Sequence, residues 1–175
     1  VSSFSPLKAV DKQTHSSSRW NIFAKWNILP ALLKKNKPEL SPFILQSGDP
    51  MLFAVDVGNS HTVSGIFKKG QLVGNWRLQS RQDRTADELA IRYHALFQMA
   101  GINPDQITGF IIASVVPTLE SSWLHFARSY LTKLRQPPLA VTNTIKLGMK
   151  VATENPAEVG ADRIVNAVAA WERFH

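Results

Sequence analysis

The sequence predicts a mixed α/β domain, and three observations in residues 51–175 predict it. Three strand-like runs follow one another, the second and third joined by a Lys-Lys-Gly turn. Helical and strand patterns then alternate, each bounded by glycine, proline or a capping residue. Consecutive antiparallel strands followed by such alternation give a sheet that is mixed and not purely parallel.

In order, Leu52-Phe53-Ala54-Val55 is a short buried-strand pattern ending in Asp56-Val57-Gly58-Asn59-Ser60. Residues 62–67 form a second strand, Lys68-Lys69-Gly70 a hairpin turn, and residues 72–78 a third strand. Thr85-Ala86-Asp87-Glu88 has the capping-box spacing and opens a helix whose apolar face is Leu89, Tyr93, Leu96, Phe97 and Ala100, closed by Gly101. Residues 109–116 are a strongly apolar strand stopped by Pro117, residues 119–134 an amphipathic helix, and residues 139–142 a short strand after Pro137-Pro138. Asn155-Pro156 supplies a cap and a first-turn proline for a last helix running towards Trp171. No internal repeat is visible. With no strand after that helix, the chain is expected to stop inside a domain.

At 175 residues, 44% of them hydrophobic, the chain has material for a buried core. It has no cysteine, which excludes a disulfide framework, a thiolate nucleophile and a cysteine metal site, and leans towards a cytoplasmic protein. The formal charge of +7 is uneven: residues 1–50 hold seven Lys/Arg against three Asp/Glu, residues 51–175 thirteen against ten. No run resembles a recognition helix, a zinc module or an aromatic single-strand platform, so no nucleic-acid partner is expected. Apolar stretches such as Phe110-Ile111-Ile112-Ala113 are far too short to cross a bilayer, so no membrane partner is expected.

Residues 1–50 differ in character. They contain Ser16-Ser17-Ser18, Lys34-Lys35-Asn36-Lys37 and scattered prolines, among them those at 6, 30, 38 and 42, with no sustained periodicity beyond a short helical pattern near residues 20–35. This predicts a poorly ordered extension. Its serine-rich, acid-poor composition is compatible with a transit peptide. Trp20, Phe23, Trp26 and Leu29 fall on one helical face, compatible with a peripheral membrane or partner contact; the plainer reading is a stretch upstream of a true start at Met51.

Two constellations carry chemistry. The first is Asp56-Val57-Gly58-Asn59-Ser60, a strand end entering a hairpin, where Gly58 lets backbone approach a ligand and the Ser60 and Thr62 hydroxyls can meet phosphate oxygens. Asp56 is suited to holding magnesium through water, since that ion keeps its waters and needs few carboxylates when phosphates complete its shell. The same residues also make an ordinary Asp/Gly/Asn hairpin turn. The second is Asn155-Pro156-Ala157-Glu158-Val159-Gly160-Ala161-Asp162-Arg163, with Val159, Val165, Val168 and Ala169 able to pack inward. A glycine inside a helix costs about 1 kcal/mol against alanine, so something is expected to lie against Gly160. Asp162 can take a proton from a hydroxyl and Arg163 can grip a carboxylate; the alternative is a surface ion pair. His61, His94, His125 and His175 share no metal-ligand spacing, and Glu154 with Glu158 reads as a solvated face. Trp76-Arg77 reads as a strand pair without a catalytic role.

Leu52 through Ser60, Trp76-Arg77-Leu78, Arg84 through Glu88, Ser114-Val115-Val116-Pro117, and Asn155-Pro156 with Gly160 through Ala167 together resemble the type III pantothenate kinases in order and spacing. The resemblance spans residues 51–175. It implies the acetate and sugar kinase, heat-shock chaperone and actin fold, which is ribonuclease H-like, with ATP between two related α/β domains. Residues 51–155 would be the first domain and residues 156–175 the start of a truncated second, because the family's chain continues well beyond Trp171. It implies ATP-dependent phosphorylation of pantothenate, the first step of coenzyme A biosynthesis, by a cytoplasmic homodimer. Magnesium would accompany ATP, and potassium or ammonium would be held by a residue beyond the chain's end.

By the same resemblance, Asp56, Val57, Gly58, Asn59, Ser60, His61, Thr62 and Val63 are the ATP phosphate-binding segment. Gly160, Ala161, Asp162 and Arg163 bind pantothenate, with Asp162 as the general base, and Thr153 stands where the family has a pantothenate-contacting tyrosine. Ser60 replaces the usual threonine and His61 a common asparagine. Two other expectations remain beside the enzyme: a non-catalytic regulatory or assembly protein, and a non-functional gene fragment.

Overall fold

The computed structural model describes residues 50–142, 155 and 159–174. The extension and its helical pattern near residues 20–35 lie outside the described residues. The first strand, β1 (Met51–Val57), is apolar on both sides because both faces of the sheet are covered. It pairs antiparallel with β2 (His61–Lys68), which pairs antiparallel with β3 (Gln71–Gln79). A two-residue turn joins β2 to β3, with Lys69 at φ 51° and Gly70 at φ 79°, the doubly left-handed geometry that matches strand twist. Val73 is an extra residue in β3, between the Phe67↔Leu72 and Ile66↔Gly74 pairs, so β3 changes face there.

Helix α1 (Ala86–Met99) begins on the expected capping box, with the Glu88 amide donating to the Thr85 hydroxyl and the Thr85 amide to the Glu88 carboxylate. It ends at Gly101, φ 66°, where Ile102 N donates to Phe97 O and Gly101 N to Gln98 O, satisfying the last carbonyls. A single 3-10 turn, Pro104–Gln106, leads into β4 (Ile107–Ser114), parallel to β1. Helix α2 (Pro117–Tyr130) starts on Pro117 and stops four residues short of Leu134. Leu131 turns inward there, and Arg135 N then donates to Thr108 O of β4. Strand β5 (Leu139–Ala140) is parallel to β4, giving the order β3-β2-β1-β4-β5. The mixed sheet expected from the sequence is therefore present.

Helix α3 (Ala161–Phe174) starts later than Asn155-Pro156 suggested. Asn155 is exposed, Pro156 lies outside the described residues, and the helix is opened by the Gly160 carbonyl, which accepts from the Arg163 and Ile164 amides. Gly160 is thus a helix-starting residue and not an interior one, so the interior-glycine penalty does not arise.

Strand alternation splits the core in two. One face carries Phe53, Val55, Val57, Phe110 and Ile112 against α1 and α2, where Tyr93, Phe97, Trp123 and Phe126 meet Phe53 with ring centroids 5.2, 5.4, 5.9 and 6.4 Å away. The other carries Ala54, Phe67, Ile111 and Ala113 against Ala161, Ile164, Val165 and Val168 of α3. No helix among the described residues is long and apolar enough to cross a membrane.

Candidate active site

β1, β4 and β5 run the same way, and their carboxyl ends converge on one end of the sheet, the end where open α/β sheets bind ligands. Asp56 and Val57 end β1 there, opposite Ala113 and Ser114 of β4. Gly58 N donates to His61 O at 3.1 Å and closes the turn into β2. A methyl group on Gly58 would sit 3.2 Å from that same carbonyl, a tight fit that the backbone of the turn would have to shift to relieve. Asn59, Ser60 and His61 are exposed, whereas Val57 and Val63 are buried.

Two ties hold this turn from behind. Ser80 N donates to Ser60 O at 2.9 Å, and the Ser80 hydroxyl pairs with that of Thr62, also at 2.9 Å. Thr62 is buried and faces the α1 side, so its hydroxyl supports the turn and Ser60 alone presents one outward. Deeper in the same face, Ser64 and Tyr93 share a hydroxyl hydrogen bond of 2.8 Å. Burial holds the Tyr93 phenol far above its ordinary range. Arg84, also buried, donates to the Gln79 carbonyl at the end of β3, and burial pushes its guanidinium down, with Arg92 adding to the effect.

The second constellation lies at the same end. A methyl group on Gly160 would approach Val115 Cγ1 to 3.6 Å, and Val115 N donates to Val57 O at 3.0 Å, so Gly160 lies beside a residue that is tied to the turn. Asp162 is half-buried in the first turn of α3, and its Oδ1 lies 2.6 Å from where a Gly160 Cβ would be. The neighbour expected against Gly160 is therefore Asp162's own carboxylate, folded back over the helix start. An acid there complements the partial positive charge of the free amides. Ala161 is buried, Arg163 is exposed, and Thr153 lies outside the described residues.

The sequence pattern holds no hint of Ser80, which reaches Thr62 across 18 residues of chain. It also set Arg77 aside. Arg77 lines a polar hollow of about 680 Å³ with Asn59, Ser60, His61, Leu78, Gln79 and Ser80. The usable signal for both is cross-strand register, in which Val63 faces Arg77 and Thr62 faces Leu78, beside Gln79 and Ser80.

Residues 52–175 match the family model described as type III pantothenate kinase. The chain belongs to that family. A type III pantothenate kinase from Desulfotalea psychrophila is 54% identical over 124 residues, covering 69% of this chain and 46% of the relative. Those from Myxococcus xanthus and Geotalea uraniireducens are 43% and 46% identical over 125 residues, each covering 71% of this chain and 48% of the relative. The chain thus spans about half the length of the curated relatives it matches. A solved structure from Bacteroides thetaiotaomicron with an actin-like ATPase fold aligns at TM-score 0.41 and 10% identity, covering 79% of this chain and 43% of that one. Type III pantothenate kinases have the acetate and sugar kinase and actin fold, and the mixed sheet described above is its α/β core.

Proposed function

We propose that this chain contributes the phosphate-binding turn and the pantothenate-binding segment of a kinase that transfers the γ-phosphoryl group of ATP to the primary hydroxyl of pantothenate. One observation carries the reading: Asp56 through Ser60 and Gly160 through Arg163 lie at one end of one sheet, with Val115 between Gly160 and Val57. Phosphoryl transfer needs little more from a protein than positioning and charge stabilisation, and these two segments suit the two tasks.

On this reading the turn from Asp56 to Val63 cradles the ATP phosphates, with backbone amides and the Ser60 hydroxyl outward. Asp162 accepts the proton of the attacking hydroxyl, and Arg163, with Gly160, Ala161 and Thr153, holds pantothenate. No three metal-binding side chains gather among the described residues, and Asp56 alone fits an ion that takes its other ligands from phosphates and water. Magnesium bound there with ATP would neutralise phosphate charge. The proposal extends to residues 51–155 as the first kinase domain and 156–175 as the opening of the second, with α3 docked on the first domain's sheet as the chain leads onward. A potassium or ammonium ion, a homodimer and a cytoplasmic location belong to it as well.

The test is transfer of labelled phosphate from ATP to pantothenate, with magnesium and potassium. It is run on this chain and on the chain extended by the remaining half of the Desulfotalea relative. Transfer that vanishes in Asp162→Asn while ATP still binds supports the reading. Undiminished transfer in that variant removes the base role, and no transfer from the folded, extended protein overturns the kinase activity.

A further inference from the structure

Directly opposed residues on neighbouring antiparallel strands point to the same face of a sheet. Asp56 of β1 opposes Val63 of β2, and Val63 opposes Arg77 of β3. The three form one row across the sheet, all on the α3 side, at the ligand end. Adjacent strands are about 4.8 Å apart, so Asp56 and Arg77 have Cα atoms roughly 10 Å from each other. Between them lies only Val63, short and buried.

Arg77 is exposed, lines the polar hollow beside Ser60 and His61, and makes no hydrogen bond or ion pair among the described residues. The other residues of β3 on that face, Leu72, Asn75 and Gln79, are uncharged, so Arg77 is the strand's single cation there. An acid and a guanidinium on one face, two strands apart with a small apolar residue between them, suit an anion that also carries a metal ion. A polyphosphate bound with a divalent cation has that chemistry. The guanidinium fork suits its oxygens.

We infer that Arg77 grips the terminal phosphates of the nucleotide from the β3 side, facing Asp56 across Val63. This rests on the nucleotide reading of the turn given above. A strand pair exposed for solubility alone would not need its arginine aligned with Asp56.

The experiment measures binding of magnesium-ATP, AMP and magnesium-free tripolyphosphate to the full chain and to Arg77→Ala, Arg77→Lys and Asp56→Asn, with circular dichroism and melting as folding controls. Arg77→Ala is expected to lose about tenfold or more in affinity for ATP and tripolyphosphate. AMP binding should be unchanged, and Arg77→Lys should fall in between. Asp56→Asn is expected to weaken magnesium-ATP but leave tripolyphosphate close to the parent. ATP binding lost in Asp56→Asn yet unchanged in Arg77→Ala overturns the role of Arg77 and keeps the nucleotide turn. A parent chain that is folded but binds neither ATP nor tripolyphosphate overturns both. An Arg77→Ala chain that does not fold also overturns the inference, unless Arg77→Lys folds and shows the intermediate phosphate-dependent loss.

Discussion

On the kinase reading proposed above, Gly160 makes room for the base, Asp162, by lacking a side chain. With Asp162 Oδ1 2.6 Å from the position of a Cβ, an added methyl must displace the carboxylate. The carboxylate end can rotate away, so Gly160→Ala is expected to change stability by less than about 1 kcal/mol. Its effect falls on geometry: misplacing a catalytic group by about 1 Å can cost on the order of a hundredfold in rate. A variant with a normal melting temperature and a strongly reduced kcat for pantothenate phosphorylation is the expected outcome. Equal activity would show that Asp162 does not act from this position.

Tyr93 supports a second prediction at the same scale. Its buried phenol, bonded to Ser64 at 2.8 Å, has its pKa raised by desolvation, against which Ser64 and Arg84 act only in part. A raised folded-state value means the folded protein keeps the proton that the unfolded chain begins to lose near pH 10. The stabilisation is therefore complete below about pH 10 and is lost as pH rises above it, by up to about 1.4 kcal/mol per pH unit. Denaturant titrations between pH 9 and 11 should show this slope and should lose it in Tyr93→Phe. The other tyrosine, Tyr130, is also raised, by its hydrogen bond to Asp87, so Tyr130→Phe is the control that must leave most of the slope in place.

Among the elements, those with local punctuation were legible. Thr85 with Glu88, Gly101 and the Lys69-Gly70 turn each act within a few residues, and each stands where the sequence put it. Thr85→Ala, which removes the acceptor for the Glu88 amide, should cost about 1 kcal/mol in a melting experiment, with Thr85→Ser recovering most of it. Elements whose ends depend on distant partners were read less well. The amphipathic pattern of α2 runs on to Leu134, but the helix stops at Tyr130 because Leu131 buries itself and the chain must return to β4. Likewise α3 begins only after Gly160, whose carbonyl accepts from the Arg163 and Ile164 amides. At the site, Asp56 and Asp162 stood out as charged residues in unusual settings, whereas Ser80, Arg84 and Arg77 gain their places only from strand register and burial.

On the scale of the whole molecule, the two faces of the sheet differ in the described side chains that hold them. The α1 and α2 side has an aromatic cluster in which Tyr93 and Trp123 are 5.0 Å apart and Trp123 and Phe126 5.5 Å. Among the described residues, the α3 side is held by smaller side chains, Ala161, Ile164, Val165 and Val168, over Ala54, Phe67, Ile111 and Ala113. Burial of apolar area scales with side-chain size, so α3 should open at lower free energy than α1 and α2. The proposed base, Asp162, is on that weaker face, in the first turn of the helix that would open. Hydrogen exchange on the chain should then show α3 amides exchanging before those of α1, α2 and β4. Magnesium-ATP with pantothenate should slow α3 selectively, because a ligand that binds only the closed form stabilises it by mass action. Exchange of α3 together with the rest of the sheet, unaffected by either ligand, would mean that α3 is part of the cooperative core and that its first turn does not carry the substrate.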